Sequence, residues 1–127
     1  MKNNEIAKFV AKNLPSSSDV ISLSVKDLHK LFYANHYIEY DYQSNCNDEN
    51  KRVDYLKELI NRNEAFNHGI LANAIIVLST SQGNPLMLEE MRIIEPIAEK
   101  IKGEIEFMVK TDNNLEKELR MNIAFYE

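Results

Sequence analysis

The side chains able to do acid–base, nucleophilic or metal chemistry are few in this chain of 127 residues, and they do not gather. His29, His36 and His68 are far apart, and the single cysteine, Cys46, sits in an Asn- and Asp-rich stretch, so the short ligand spacings of a zinc site are missing. Cys46 is followed by Asp48 and Glu49 and has no cationic neighbour to favour a thiolate, which reads as an ordinary surface thiol. Glu89, Glu90 and Glu95 fall in a segment of helical spacing that should turn them to solvent, with no partner converging for acid–base work. Asp27 follows Ser24 by three residues, the spacing of a capping box in which a carboxylate serves the first turn of a helix. No catalytic residue, metal or cofactor is expected from these groups.

Composition narrows the class. A chain of this length fits one domain and can bury roughly two-thirds of its unfolded surface. The net charge of −5, with no basic cluster longer than Lys51-Arg52, argues against nucleic acid or an anionic membrane as partner. One cysteine cannot form an internal disulfide, so a reducing cytoplasm is the simplest compartment. The N-terminus is too polar for a signal segment, and no apolar run approaches the ~20 residues of a membrane span.

The elements that must position these residues can be read in order. Asn4 to Leu14 predicts a short helix with Ile6, Phe9, Val10 and Leu14 on one side, closed by Pro15. A serine-rich connector leads to a short extended entry, Val20 to Leu23. Ser24 then caps a helix through about Tyr33 with Val25, Leu28, Leu31 and Phe32 inward. Asn35 to Gln43 alternates Ile38, Tyr40 and Tyr42 against Tyr37, Glu39 and Asp41, the pattern of a strand with one wetter face. If the first helix leaves the Tyr37 face uncovered, that face becomes a candidate protein-binding surface. The loop 44–50 precedes a helix with Val53, Leu56, Leu59 and Ile60 inward and Lys51, Arg52, Lys57 and Glu58 solvated.

Ile70 to Leu78 is a largely apolar run, as in a strand buried on both faces. Asn84-Pro85 offers a cap and first-turn proline for a helix with Met87, Met91, Ile94, Ile97, Ala98 and Ile101 on the sheet side, bent at Pro96. A strand around Ile105 to Val109 completes a βαβ crossover, and the last strand, Leu119 to Phe125, pairs most simply with it as an antiparallel hairpin. The order predicts an α/β (α+β) fold: a mixed, roughly four-stranded sheet with its main helices packed against one face.

In that order the chain resembles the C-terminal domain of FtsZ, the bacterial tubulin-like cell-division GTPase, over about residues 20–127. The pieces that carry it are the entry VISLSVKDL, the strand HGILANAIIVL, the Glu-rich helix after a Pro/Leu loop, and above all the closing EIEFMVKTDNNLEKELRMNIAFYE, similar to a pair of strands joined by an acidic loop. The resemblance implies a two-layer FtsZ/tubulin C-terminal-domain-like sandwich over 20–127, preceded by an N-terminal helix and linker, 1–19. In that family the entry loop has the form Asn-x-Asp-x-x-Asp and reaches the nucleotide of the next subunit. The matching positions here are Ser22, Ser24 and Asp27, so one carboxylate remains. The three glycines, Gly69, Gly83 and Gly103, are not grouped to cradle a phosphate, and the chain is not expected to bind GTP by itself. The expected role is a non-catalytic interaction domain with Ser22, Ser24 and Asp27 as its candidate interaction loop. Its partner would be FtsZ, another tubulin-like polymer or a second copy. The alternative is a small oligomeric ligand-binding protein or enzyme with a site between subunits.

Overall fold

The run Asn-Ala-Ile-Ile-Val-Leu-Ser-Thr is buried on both faces because it lies inside the sheet. The computed structural model describes residues 2–16, 19, 21, 23–44, 51–62 and 73–127. Within them, helix α1 (Lys2–Lys12) is followed by α2 (Val25–His29), which tightens into a 3₁₀ turn (Lys30–Tyr33), and then by β1 (Tyr37–Gln43) and α3 (Arg52–Arg62). Strand β2 (Asn73–Thr80) leads through a 3₁₀ helix (Leu88–Ile94) and one α turn, α4 (Glu95–Ala98), to β3 (Ile105–Thr111) and β4 (Arg120–Tyr126). Residues 70–72 of the expected strand, with Gly69, Cys46 and His68, lie outside the described residues. Among the described residues no helix is long and apolar enough to cross a membrane.

The sheet is mixed and four-stranded, as expected, in the order β1-β4-β2-β3. β2 and β3 run parallel across the crossover, while β4 is antiparallel to both β1 and β2. The closing hairpin is therefore corrected: β3 and β4 are not neighbours. The side chains show why. β4 buries Met121, Ile123 and Phe125 on one face and Asn122, Ala124 and Tyr126 on the other, so it can sit in the middle. β3 carries Glu106 and Lys110 near solvent, and pairing it on both sides would have buried them. It takes the edge instead.

Each face of the sheet has its own core. Ala74, Ile76 and Leu78 meet Val53, Leu56 and Ile60 of α3 and Ile93 and Ile97 of the crossover. Ile75, Val77, Met108 and Ala124 meet Ile6, Phe9 and Val10 of α1 and Leu28 and Leu31 of the α2 segment. Fully burying each such side chain contributes about 1.5–3 kcal/mol. Phe9 packs edge-on to Tyr37 with ring centroids 6.5 Å apart, so α1 covers the Tyr37 face and removes it as a free docking surface. In the first two helical segments three inward assignments fail: Leu14, Val25 and Phe32 are exposed. α1 ends at Lys12 because Asn13 folds its side chain back to donate to the Phe9 carbonyl (3.0 Å), and Leu14 falls beyond the turn.

The crossover departs most from its expected shape. Asn84 caps nothing; its amide donates to the Glu116 carbonyl (2.9 Å), and the helix opens at Met87, whose N–H is taken by the Glu90 carboxylate (2.9 Å). Pro96 has no N–H for the Arg92 carbonyl, which accepts from Glu95 instead, three residues on. The tighter winding aligns Glu90, Ile93 and Ile97 inward and leaves Met87 55% exposed and Ala98 on the surface.

Glu90 is thus 8% exposed rather than solvated, and so is its partner: Arg52, expected on the wet side of α3, is 1% exposed. Arg52 donates Nε–H and Nη2–H to the two Glu90 oxygens (2.5 and 2.7 Å). Its remaining donors reach the carbonyls of Asn84 (3.2 Å), Pro85 (3.0 Å) and Lys117 (3.1 Å). Breaking such a pair strands a buried charge, at about 3–5 kcal/mol. Urea unfolding of Arg52→Met and Glu90→Gln should show losses of that size in either single variant, and the Arg52→Met, Glu90→Leu double variant should lose less than the sum.

Candidate functional site

The loop singled out by sequence begins where the chain reaches the sheet. Ile21 forms an isolated antiparallel bridge to Val109, donating at 3.2 Å and accepting at 2.9 Å, so the entry lies against the outer edge of β3 at that point. Ser22 lies outside the described residues. Ser24 and Asp27 form the expected capping box: Ser24 N–H and Oγ–H donate to Asp27 Oδ2 (3.2 and 2.8 Å), and the Asp27 N–H donates to Ser24 Oγ (3.1 Å). The Ser24 hydroxyl, then its N–H, holds the Asp27 carboxyl below its ordinary range. The carboxylate is committed to the start of α2.

Behind it, Lys30 pairs with Glu106 on β3 and lies 3.8 Å from Glu104 just before that strand, with its ammonium 5.9 Å from the centre of the Tyr126 ring. Lys110 reaches back to the Leu14 carbonyl (3.0 Å) and to Asp19 (3.3 Å), fastening the linker to the same strand. The outward side of the segment is apolar: Val25 and Phe32 are exposed, His29 packs edge-on to Phe32 with centroids 5.8 Å apart, and Tyr33 is 87% exposed. A second apolar projection stands at the start of the crossover, where Leu88 is 89% exposed. Neither signal could be found from periodicity, which assigned Val25, Phe32 and Met87 inward.

Across the sheet a polar network, unforeseen in the sequence, joins α1 to β1 and β4. Asn122, buried in β4, accepts from Asn13 (3.2 Å) and donates to Glu39 (2.7 Å) and the Tyr40 carbonyl (3.1 Å). Glu39 also takes Lys12 (2.8 Å) and the Tyr37 hydroxyl (3.2 Å), while Arg120 grips Asp41 with two nitrogens (3.0 and 2.5 Å). Burial, then the Glu39 charge, pushes the Tyr37 hydroxyl well above its ordinary range, so at neutral pH it is a donor. Among the described residues no three His, Cys, Asp or Glu side chains converge as metal ligands. The residues brought together hold structure, and several large apolar side chains stand outside them.

Along its whole length the chain superposes on part of an FtsZ dimer structure from M. jannaschii, with a TM-score of 0.71 and 15% identity, covering 98% of this chain and 38% of that one. The fold is that of the FtsZ/tubulin C-terminal domain. CetZ structures are similar too: one from Methanosaeta thermophila (TM-score 0.59, 16% identity, 97% and 35% covered) and a GDP-bound monomer from Haloferax volcanii (0.54, 11%, 96% and 38%). The chain spans under two-fifths of each of these proteins. No family model and no curated protein matches the sequence. The FtsZ-like fold stands although β3 and β4 are not a hairpin, because it rests on the placement of nearly every described element.

Since its folded pKa lies below the unfolded value, Asp27 adds stability that is complete at neutral pH and is lost as pH falls through the folded value. A carboxyl-detected NMR titration should give Asp27 a midpoint below the ordinary ~3.9 of aspartate, and Ser24→Ala should return it toward that value.

Proposed function

We propose that the domain is a non-catalytic interaction module that docks on a tubulin-like polymer. The observation that carries this reading is the FtsZ-type C-terminal fold spanning 96–98% of the chain. One of the similar structures is an FtsZ dimer. Two features of the surface support it. Asp27, the one carboxylate retained at the positions matching the family's entry loop, is engaged by Ser24, so a structural use accounts for it. Large apolar side chains, Tyr33 and Leu88 foremost, stand in solvent, where they cost free energy unless a partner covers them.

Mixed with the tubulin-like polymer of its own cell and GTP, the protein should co-pellet, and by itself it should hydrolyse no GTP. Tyr33→Glu or Leu88→Glu should reduce co-pelleting several-fold while changing folding stability by no more than about 0.5 kcal/mol, as exposed positions do. A protein that stays in the supernatant, with polymer length and turnover unchanged, would remove the polymer as partner.

A further inference from the structure

The two edges of the sheet differ. Ile21 bridges the outer side of β3 at Val109, whereas no described residue bridges the outer side of β1, whose ladder decides which groups face out. His36 and Glu127 exchange both backbone bonds (3.3 and 3.1 Å), and Ser44 donates to the Leu119 carbonyl (3.0 Å). In the alternation of an antiparallel pair, Ile38, Tyr40 and Tyr42 then bond to β4, and Tyr37, Glu39, Asp41 and Gln43 turn their N–H and C=O groups away from the sheet. Among the described residues, none pairs with these outward backbone groups. An open groove of about 310 Å³ runs along this edge, lined by Glu5, Tyr37, Ile38, Glu39 and Asp41. Three of those five are carboxylates and none is a cation; Lys12 and Arg120, the partners of Glu39 and Asp41, are not part of the lining.

A second copy fits this edge badly. In a two-fold antiparallel pairing of β1 with itself, residues of one face meet. With the axis at Tyr40, Glu39 opposes Asp41; with the axis at Glu39 or at Asp41, that residue opposes its own copy. Every register that overlaps five or more of the seven residues of β1 therefore sets acid against acid, which destabilises a cross-strand pair. A basic strand suffers no such clash. We propose that the outer edge of β1 accepts an added strand from a different protein. That strand carries Lys or Arg at alternate positions toward Glu5, Glu39 and Asp41, and apolar residues on the side of Ile38, Tyr40 and Tyr42. Main-chain bonds supply the attachment, and the carboxylates select the sign of the partner. Strand addition rests on the interaction reading and names a surface for it, but it does not require the partner to be a filament.

The probe is a blocked heptapeptide of alternating Lys and Val, added to the full chain and followed by amide exchange in NMR spectra. Exchange at Tyr37, Glu39, Asp41 and Gln43 should slow, while that at Ile38, Tyr40 and Tyr42 stays as it was. The same peptide with Glu for Lys, or N-methylated at its Lys residues, should bind at least about tenfold more weakly, and Glu5→Lys should weaken the Lys peptide several-fold. Unchanged exchange at those four amides, or equal binding of the N-methylated peptide, would overturn the proposal, as would a dimer paired through β1. Slowed exchange without co-pelleting would keep the edge and remove the filament; co-pelleting without slowed exchange would remove the edge.

Discussion

The guanidinium of Arg52 is a charge that this fold takes out of water and satisfies completely. All five of its N–H donors have acceptors: two on the Glu90 carboxylate and three on the carbonyls of Asn84, Pro85 and Lys117. Those acceptors belong to three separate stretches, the loop after β2, the crossover helix and the loop before β4. A single planar donor at the start of α3 ties all three together, and in the crossover it adds to the anchoring that Ile93 and Ile97 already give. The planar fork matters: a lysine has one nitrogen and could not face a carboxylate and three carbonyls in these directions. Glu90 is held in turn by the Met87 N–H, so the pair also decides where the crossover begins to wind.

How β4 comes to lie between β1 and β2 follows from the same corner. The chain leaves β3 at the far edge and must pass β2 to reach its slot. The loop making that passage is pinned twice, by Arg52 at the Lys117 carbonyl and by Ser81 and Asn84 at the Glu116 carbonyl. On arrival, Leu119 exchanges bonds with Ser44 at the end of β1. Once inserted, β4 must bury Asn122, and the polar chain from Asn13 through Asn122 to Glu39 makes that burial tolerable. Without those partners a buried amide would be costly. The network also explains why α1 lies on the Tyr37 face, since Asn13 and Lys12 of its last turn are the groups that reach Asn122 and Glu39.

Much of this was legible in the sequence, and the limits have physical causes. The apolar run of β2 and the stripes of α1 and α3 are periodic signals read from neighbouring residues, and the structure follows them except at Leu14; the alternation in β1 marked a strand, but Ile38 on its apolar face is exposed because α1 covers the other face. The Ser24–Asp27 box was legible because its two partners are three residues apart. Arg52 and Glu90 were misassigned for the opposite reason: they are 38 positions apart, and each by itself looks like a solvated charge on a helix. The β3–β4 hairpin failed because adjacency in sequence is only a tendency. The deciding fact, that β4 can bury both faces while β3 cannot, lay in Asn122 and Ala124, residues that look polar or neutral in isolation. Pro96 announced a bend, but the 3₁₀ winding upstream of it comes from the carbonyl of Arg92 finding Glu95, a local choice that periodicity of 3.6 cannot express. The function of the entry loop was the least legible part, since cap residues and docking residues are drawn from the same small polar set.

The asymmetry of the sheet gives the domain its character as a surface. A four-stranded sheet has two edges, and each is a template for another strand unless something blocks it. At β3 the chain covers part of its own edge with the bridge from Ile21 to Val109. At β1 no described residue pairs with the outward backbone groups, and Glu39 and Asp41 stand against self-pairing. Charge is a selective block: it repels a like strand and attracts an unlike one, whereas a proline, a bulge or a covering loop would refuse both. Glu39 and Asp41 are moreover held in fixed positions by Lys12, Asn122 and Arg120, so they present a set spacing rather than two mobile side chains. An edge meant only to be inert has no need of that order. Held carboxylates beside unpaired backbone make a surface that discriminates among strands, which is what a docking edge requires.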